Sequence, residues 1–294
     1  MSTTIDTILL VGHGSRAKAG NAEVEEFACQ WKKRNPTWKI EVCYIEYADV
    51  LLDAGLEKAA KGCTSKRVVI VPLILNAAGH VKMEVPIAID QARDRFPDVE
   101  FILTPHLGAN QEVLKLLNRR LKSENHKLSF PDPKTTGVIL LGRGSSDKVA
   151  NGEVAKMARW ILEENENELV EVAFTGVTFP RLETVVQRME VLGMMQVIVL
   201  PYYLFNGRLI QRIESQIERL EGQYPQITFG LGKYFGFEEE IYQLLNQRVA
   251  EATGSEVKVT MLECDGCHHR KEAEASHVHH HHDDGHEHGG HHHH

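Results

Sequence analysis

The chain has 294 residues, of which 42% are hydrophobic, and carries a formal net charge of −8 at pH 7. That length and composition suffice for the cores of two ordinary domains. The negative charge argues against nucleic acid as a partner, and no apolar run approaches the ~18–20 residues that cross a bilayer. No secretory signal opens the chain. We therefore expect a cytoplasmic protein whose five cysteines are thiols or metal ligands rather than disulfides.

Strands and helices alternate along the whole chain. The first half is predicted to contain strands at 7–11, 40–46, 67–74 and 99–104, with helices at about 20–34, 50–61, 84–95 and 110–122. The second half is predicted to contain strands at 137–141, 170–176, 196–201 and 227–231, with helices at 150–164, 181–191, 207–221 and 237–250. Continuous apolar strands are typical of sheets with helices on both faces. The pattern predicts α/β architecture with two flavodoxin-like or Rossmann-like four-stranded parallel sheets, each in strand order 2-1-3-4.

One pattern occurs twice in this chain. ILLVGHGSRAKAGNAEV at 8–24 matches VILLGRGSSDKVANGEV at 138–154 with a constant shift of 130 positions, and VVIVPLILNAAGHV at 68–81 matches VIVLPYYLFNGRL at 197–209. A repeat of this length indicates two related domains. We expect a catalytic domain at 1–125, a linker at 126–136, a degenerate copy at 137–252 and a tail at 253–294.

The two copies differ where reactive groups stand. His13, His80 and Glu46 in the first copy become Arg143, Arg208 and Gly176 in the second. Each of the three first-copy residues follows or closes a predicted strand, and ligands bind at the carboxyl ends of such strands. His106 also follows a strand but is not assigned a role.

Two neutral imidazoles and a carboxylate can bind Co²⁺, Ni²⁺ or Fe²⁺. They can also accept protons, since free histidine titrates near ~6.5. Both properties suit metal insertion into a tetrapyrrole, in which two ring N–H protons leave as the metal ion enters.

Four strings, LLVGHGSR, VPLILNAAGHVKMEVP, LLGRGSSD and LPYYLFNGRLIQRI, resemble the long form of the CbiX sirohydrochlorin chelatases, which group with SirB and CbiK. The resemblance implies insertion of Co²⁺ into sirohydrochlorin on the anaerobic cobalamin route, without a nucleotide; SirB-like relatives insert Fe²⁺ for sirohaem. It also implies that His13 and His80 bind the metal and take part in proton removal, assisted by Glu46.

Sirohydrochlorin is a polycarboxylate, so a chain of net negative charge needs local cations to bind it. Guanidinium groups pair well with carboxylates. We therefore expect Arg143, Arg208, Arg16 and Lys82 to bind the substrate, with the two domains facing one another across the macrocycle.

The tail contains Cys264-x-x-Cys267, followed by 13 of the 17 histidines. The motif resembles the iron–sulfur motif of long CbiX proteins. Two thiolates cannot complete a four-ligand cluster, so other ligands or a second chain are needed, and the protein is a monomer or a homodimer. A zinc site is a second interpretation. The c-type haem string is a third, but it requires export. The His-rich end, mixed with acids, suits a metal-binding segment that is disordered without metal.

Two other functions fit parts of the sequence. Gly12-x-Gly14-x-x-Ala17, with Glu46 closing the next strand, is a weak dinucleotide-binding pattern, but it leaves His80 and the substitutions in the second copy unexplained. The tail suggests metal storage or a metallochaperone, which leaves the duplicated domains unexplained.

Overall fold

The chain alternates strand and helix from beginning to end. A computed structural model describes residues 7–16, 18–129 and 131–254, and of His80 it describes the backbone alone. The first half contains β1 (Thr7–Gly12), α1 (Lys18–Arg34), β2 (Lys39–Tyr44), α2 (Leu52–Lys61), β3 (Arg67–Pro72), α3 (Gly79–Arg95), β4 (Glu100–Leu103) and α4 (Gln111–Asn125). The second half contains β5 (Thr136–Gly142), α5 (Lys148–Glu164), β6 (Val170–Phe174), α6 (Leu182–Val191), β7 (Gln196–Pro201), α7 (Arg208–Gln223), β8 (Thr228–Leu231) and α8 (Glu239–Thr253).

The strands form two four-stranded parallel sheets with orders β2-β1-β3-β4 and β6-β5-β7-β8, which confirms the predicted strand order in both halves. In the first sheet, β1 pairs with β2 from Thr7↔Lys39 to Gly12↔Tyr44. The central strands β1 and β5 are buried along their whole length. Helices cover both of their faces, which explains why these strands are continuously apolar.

The predicted start of α3 is wrong. The sequence places His80 in a loop and starts the helix at 84, whereas the backbone is helical from Gly79. Gly79 and Pro86 suggest a loop, yet Pro86 lies inside the helix. A proline there removes one backbone hydrogen bond without ending this helix, because the buried side chains of Val81 and Val85 hold it on the sheet. His80 therefore lies in the first turn of α3.

The last helix of each half packs against the sheet of the other half. α4 lies against β7 and β8, and α8 lies against β3. At Gly230 in β8, an added Cβ would meet the Cβ of Glu124 in α4 at 3.7 Å. The largest core cluster accordingly contains buried side chains from both halves. Each sheet thus depends on the other half to cover one of its faces.

Aromatic and amide groups fix α8 against α1. The rings of Phe27 and Tyr242 are stacked with centroids 4.3 Å apart. Trp31 is fully buried, and its Nε1 donates to Oδ1 of Asn246 at 2.8 Å. The bond to Asn246 satisfies the one donor of the buried indole, so the contact combines a large apolar area with a specific hydrogen bond.

None of the helices in the described part of the chain combines the length and the apolar character needed to cross a membrane. The Cys264-x-x-Cys267 motif and the His-rich end lie outside the described residues.

The helices α4 and α8 are exchanged between the halves, because each packs on the sheet of the other half. Truncating a buried side chain between the halves should therefore cause a large loss of stability. Leu117 of α4 is 1% exposed in the shared core. We expect Leu117→Ala to lower the free energy of unfolding by about 2–5 kcal/mol, measured by urea denaturation. Leu192→Ala is the matched control, because Leu192 is 62% exposed. It should change stability by no more than about 0.5 kcal/mol. Equal effects of the two substitutions would contradict the proposed packing.

Candidate active site

The loop after β1 is held directly against the segment after β2. Gly14 has φ +91°, and a Cβ added there would lie 1.7 Å from the carbonyl oxygen of Glu46. Only glycine fits, because its left-handed backbone and the close approach both exclude a side chain. The amides of Ile45 and Glu46 donate to the carbonyls of Gly12 and His13 at 3.0 and 3.1 Å. The β1–β2 pairing thus continues past the strands and brings His13 beside Glu46.

His13 and Glu46 form the reactive pair of this edge. Nδ1 of His13 lies 3.3 Å from Oε1 of Glu46, and each side chain is 41% exposed. A carboxylate beside Nδ1 favours the tautomer that carries its proton on Nδ1. The lone pair of Nε2 is then available to a metal ion or a proton.

An asparagine at the start of the first helix holds the loop in place. Oδ1 of Asn21 accepts from the Ser15 amide at 2.9 Å, and its Nδ2 donates to the carbonyls of Ser15 and Tyr47 at 3.1 and 3.0 Å. In the second half, Asn151 makes the same two bonds to Ser145, at 2.9 and 2.8 Å. The repeat therefore preserves the residues that shape the loop. Retention of Asn21 and Asn151 was the sequence signal for this role, which the sequence analysis did not assign.

Tyr47 follows Glu46 with φ 53° and a side chain that is 47% exposed. Nη2 of Arg16 donates to its hydroxyl at 3.0 Å, and the Arg16 guanidinium carbon lies 4.7 Å from the ring centroid. The hydrogen bond to Tyr47 raises the pKa of Arg16, so the guanidinium stays charged. Arg16 is thus an exposed cation next to the His13–Glu46 pair, where the sequence predicts substrate binding.

Lys82 is in a different setting from the one that the sequence predicts. Its Nζ donates to Oδ2 of Asp147 at 3.0 Å, and the two side chains are 19% and 20% exposed. The bond joins α3 of the first half to the start of α5 in the second. Burial favours a raised pKa for Asp147, but the hydrogen bonds from Lys82 and the Val149 amide outweigh it and lower the pKa. Asp147 was missed by the sequence analysis, because its partner lies in the other half.

The second half carries cations at the corresponding edge. Arg143 follows β5 and Arg208 opens α7, and both are exposed. The carbonyl of Arg143 accepts from the Gly176 amide at 3.0 Å, as that of His13 does from Glu46. Burial raises the pKa of the neighbouring Tyr203 to about 12, and Arg143 opposes that shift. Gly176 stands where the first half has Glu46, so the imidazole–carboxylate pair of the first half is replaced here by an arginine and a glycine.

The structure places some of the predicted site residues close together at the carboxyl edge of the first sheet. His13 and Glu46 are in contact, and His80 stands in the first turn of α3, which follows the neighbouring strand β3. Among the described residues, which omit the His80 side chain, no group of three or more His, Cys, Asp or Glu is arranged to hold a metal ion. His106 lies half buried in the loop after β4. Cys264 and Cys267 lie outside the described residues.

Comparison with known proteins gives consistent matches. The family model CbiX matches residues 7–124 and again residues 137–252. A sirohydrochlorin cobaltochelatase of Priestia megaterium is 37% identical over 266 residues, 90% of this chain and 84% of the relative. A sirohydrochlorin ferrochelatase of the same species is 29% identical over 246 residues, 83% of this chain and 90% of the relative. The solved structure of SirB from Bacillus subtilis with Fe³⁺ has a TM-score of 0.74 and 28% identity, covering 87% of this chain and 98% of that one. The predicted fold is thereby confirmed.

The contact between Gly14 and Glu46 predicts the effect of a single methyl group. We expect Gly14→Ala to lower the free energy of unfolding by at least about 1–3 kcal/mol, since alanine must adopt a left-handed backbone and displace Glu46. Urea denaturation measures the loss, and a crystal structure of the variant should show His13 and Glu46 separated. Gly152→Ala is the control, because an added Cβ there meets nothing within 4 Å and Ala22 holds the matching position in the first half. It should stabilise the helix by about 0.5–1 kcal/mol. A Gly14→Ala variant of unchanged stability would contradict the close approach.

Proposed function

The chain belongs to the CbiX family, and we propose that it inserts Co²⁺ into sirohydrochlorin, with release of two protons, in anaerobic cobalamin biosynthesis. The coarser conclusion, that it is an enzyme inserting a metal ion into sirohydrochlorin, follows from the family match and the relatives. The observation that carries the proposal for this chain is the His13–Glu46 pair at the carboxyl edge of a duplicated sheet, whose second copy has arginine and glycine there.

His13 and His80 are the proposed metal ligands and proton acceptors. The Glu46 carboxylate holds the His13 ring, so that Nε2 presents its lone pair. One lone pair cannot hold a metal ion and a proton at once. Each histidine must therefore release the metal before it accepts a proton. Two imidazoles give up one M²⁺ and take two ring N–H protons, which balances the reaction without a nucleotide or a redox partner.

The second half is proposed to hold the substrate. Sirohydrochlorin carries carboxylates, and Arg143 and Arg208 are exposed cations at the positions that match His13 and His80. Arg16 supplies a further exposed cation in the first half, next to the His13–Glu46 pair. Charge-assisted bonds from guanidinium groups orient a polycarboxylate without binding the metal ion. In this arrangement one half supplies the chemistry and the other supplies binding.

The tail favours cobalt over iron. The 37% match to a cobaltochelatase covers 266 residues, more than the 252 that precede the tail, so it continues into the tail. The ferrochelatase match is shorter and less similar. Imidazole also suits iron, but a given nitrogen site generally binds Co²⁺ and Ni²⁺ more tightly than Fe²⁺. Ferrochelatase activity is the second candidate, because SirB from Bacillus subtilis with Fe³⁺ shares the fold and 28% of the sequence.

Two further parts of the proposal concern the tail and the assembly. Cys264 and Cys267 are proposed to hold an iron–sulfur cluster, whose remaining ligands come from elsewhere in the chain or from a second copy in a homodimer. The His-rich end is proposed to bind metal ions before insertion. Metal storage alone is the less favoured function, since it gives no role to the His13–Glu46 pair.

Anaerobic turnover with different metals tests the proposal. Sirohydrochlorin is mixed with the protein and Co²⁺, Ni²⁺ or Fe²⁺, and the change in its absorption spectrum gives the rate. We expect the highest kcat/KM with Co²⁺, and a fall of at least ~10²-fold in His13→Asn, because a proton acceptor is lost. His126→Asn is the matched control, since His126 caps α4 outside the site. An unchanged spectrum with the wild-type protein would refute the chelatase, and the highest kcat/KM with Fe²⁺ would select the ferrochelatase.

The substrate-binding role of the second half can be tested separately. We expect Arg143→Ala and Arg208→Ala each to raise KM for sirohydrochlorin by ~10-fold or more, because each removes a charge-assisted bond, while kcat stays within about twofold. Steady-state kinetics at saturating Co²⁺ measures both constants. Arg219→Ala, an exposed arginine within α7, is the control. Unchanged KM values in the two variants would show that these arginines do not bind the substrate.

A further inference from the structure

The start of α3 is weakly held by its own backbone. Its N-cap residue, Ala78, offers no side-chain cap, and an added Cβ at Gly79 would find no atom within 4 Å. Glycine and an uncapped first turn both disfavour helix. Pro86 has no N–H, so the helix cannot supply the usual donor to the carbonyl of Lys82. Residues 79–85 therefore depend on contacts with other elements to keep their position.

Asp147 supplies such a contact from the second half. Its Oδ2 accepts from Nζ of Lys82 at 3.0 Å, and both side chains are about four-fifths buried. Asp147 is itself fixed in place. Its Oδ1 accepts from the Val149 amide at 2.8 Å as the N-cap of α5, and its own amide donates to Oγ of Ser145 at 3.0 Å. A carboxylate held by its own helix is a rigid anchor for the lysine.

The ion pair exists at one of the two equivalent junctions. At the shift of 130, Asp147 corresponds to Ala17, and aligning Gly79 and His80 with Gly207 and Arg208 puts Ile210 in the place of Lys82. Alanine and isoleucine cannot form this bond. At that second junction a different contact is used, in which the Asn206 amide donates to Oε2 of Glu23 at 2.7 Å. The Lys82–Asp147 bond thus belongs to the junction whose helix carries His80 in its first turn.

We propose that Asp147 is a positioning residue for His80, which acts by holding Lys82 and thereby fixes the first turn of α3. The inference rests on the proposed function for the role of His80 and goes beyond it in assigning a residue of the degenerate half to the metal-binding edge. Lys82 is then occupied by Asp147 and does not bind the substrate. Lys82 would therefore give different results in the same variants if it bound the substrate than if it acted as a tether.

Hydrogen exchange tests the tether without reference to activity. In Asp147→Asn and in Lys82→Met, the amides of residues 82–85, which start with the bond from the Lys82 amide to the Ala78 carbonyl, should exchange at least ~10-fold faster, because local opening costs less free energy. Asparagine is as good an N-cap as aspartate, so α5 should keep its protection in Asp147→Asn. The control is Glu239→Gln, which breaks the Arg34–Glu239 pair between the halves at the far end of α1. Unchanged exchange at 82–85 in both variants would overturn the proposal.

Kinetics then separates positioning from substrate binding. A tether predicts that Lys82→Met and Asp147→Asn each lower kcat by ~10-fold with KM for sirohydrochlorin unchanged. The double variant should have a kcat no lower than that of either single variant. Lys82→Arg keeps the positive charge, so its kcat should be close to that of the wild-type protein, unlike that of Lys82→Met. Substrate binding by Lys82 predicts a raised KM in Lys82→Met alone, since Asp147→Asn only frees the lysine, and that result would overturn the proposal. Wild-type protein assayed in parallel tests the proposed function by itself. If it fails to metallate sirohydrochlorin, the proposed function is wrong, while the hydrogen-exchange result still decides whether Asp147 holds the first turn of α3.

Discussion

The site depends on one backbone contact in which Gly14 touches the carbonyl oxygen of Glu46. The left-handed backbone of Gly14 lets the loop after β1 continue the pairing with the segment after β2, so the His13 carbonyl accepts from the Glu46 amide. The imidazole and carboxylate then meet because their main chains are already bonded. The two side chains lose little further conformational entropy when they meet, since two backbone hydrogen bonds and the Asn21 side chain already fix the geometry of the loop.

The duplication separates that scaffold from the chemistry placed on it. Gly144 has φ +86°, and an added Cβ would lie 2.2 Å from the carbonyl oxygen of Gly176, which repeats the contact of the first half. Asn151 repeats the bonds of Asn21. Residues whose role is geometric are thus retained, whereas the residues proposed to bind metal or substrate differ. The same loop presents His13 in one half and Arg143 in the other, because its backbone geometry does not depend on that side chain.

Local patterns in the sequence were enough to predict the two sheets, their strand order and the position of His13 and Glu46 at the same edge of the first sheet. Apolar strands and a constant shift carry that information within one half. The start of α3 was not predictable, because Gly79 and Pro86 indicate a loop, whereas burial of Val81 and Val85 and the bond from Lys82 to Asp147 depend on other elements of the fold. The exchange of α4 and α8 was not predictable either, since their apolar faces fit either sheet and the choice depends on the packing of both halves.

The exchanged helices also explain why a copy without histidines persists. α8 covers β3 of the first half, and α4 covers β7 and β8 of the second, so each sheet relies on a helix of the other half. Loss of the second half would expose the apolar face of β3, the strand that leads to His80. We therefore expect the second half to stabilise the first sheet whichever side chains its own carboxyl edge carries. That edge carries the charged groups Arg143, Asp147 and Arg208, which we propose to serve the site of the first half.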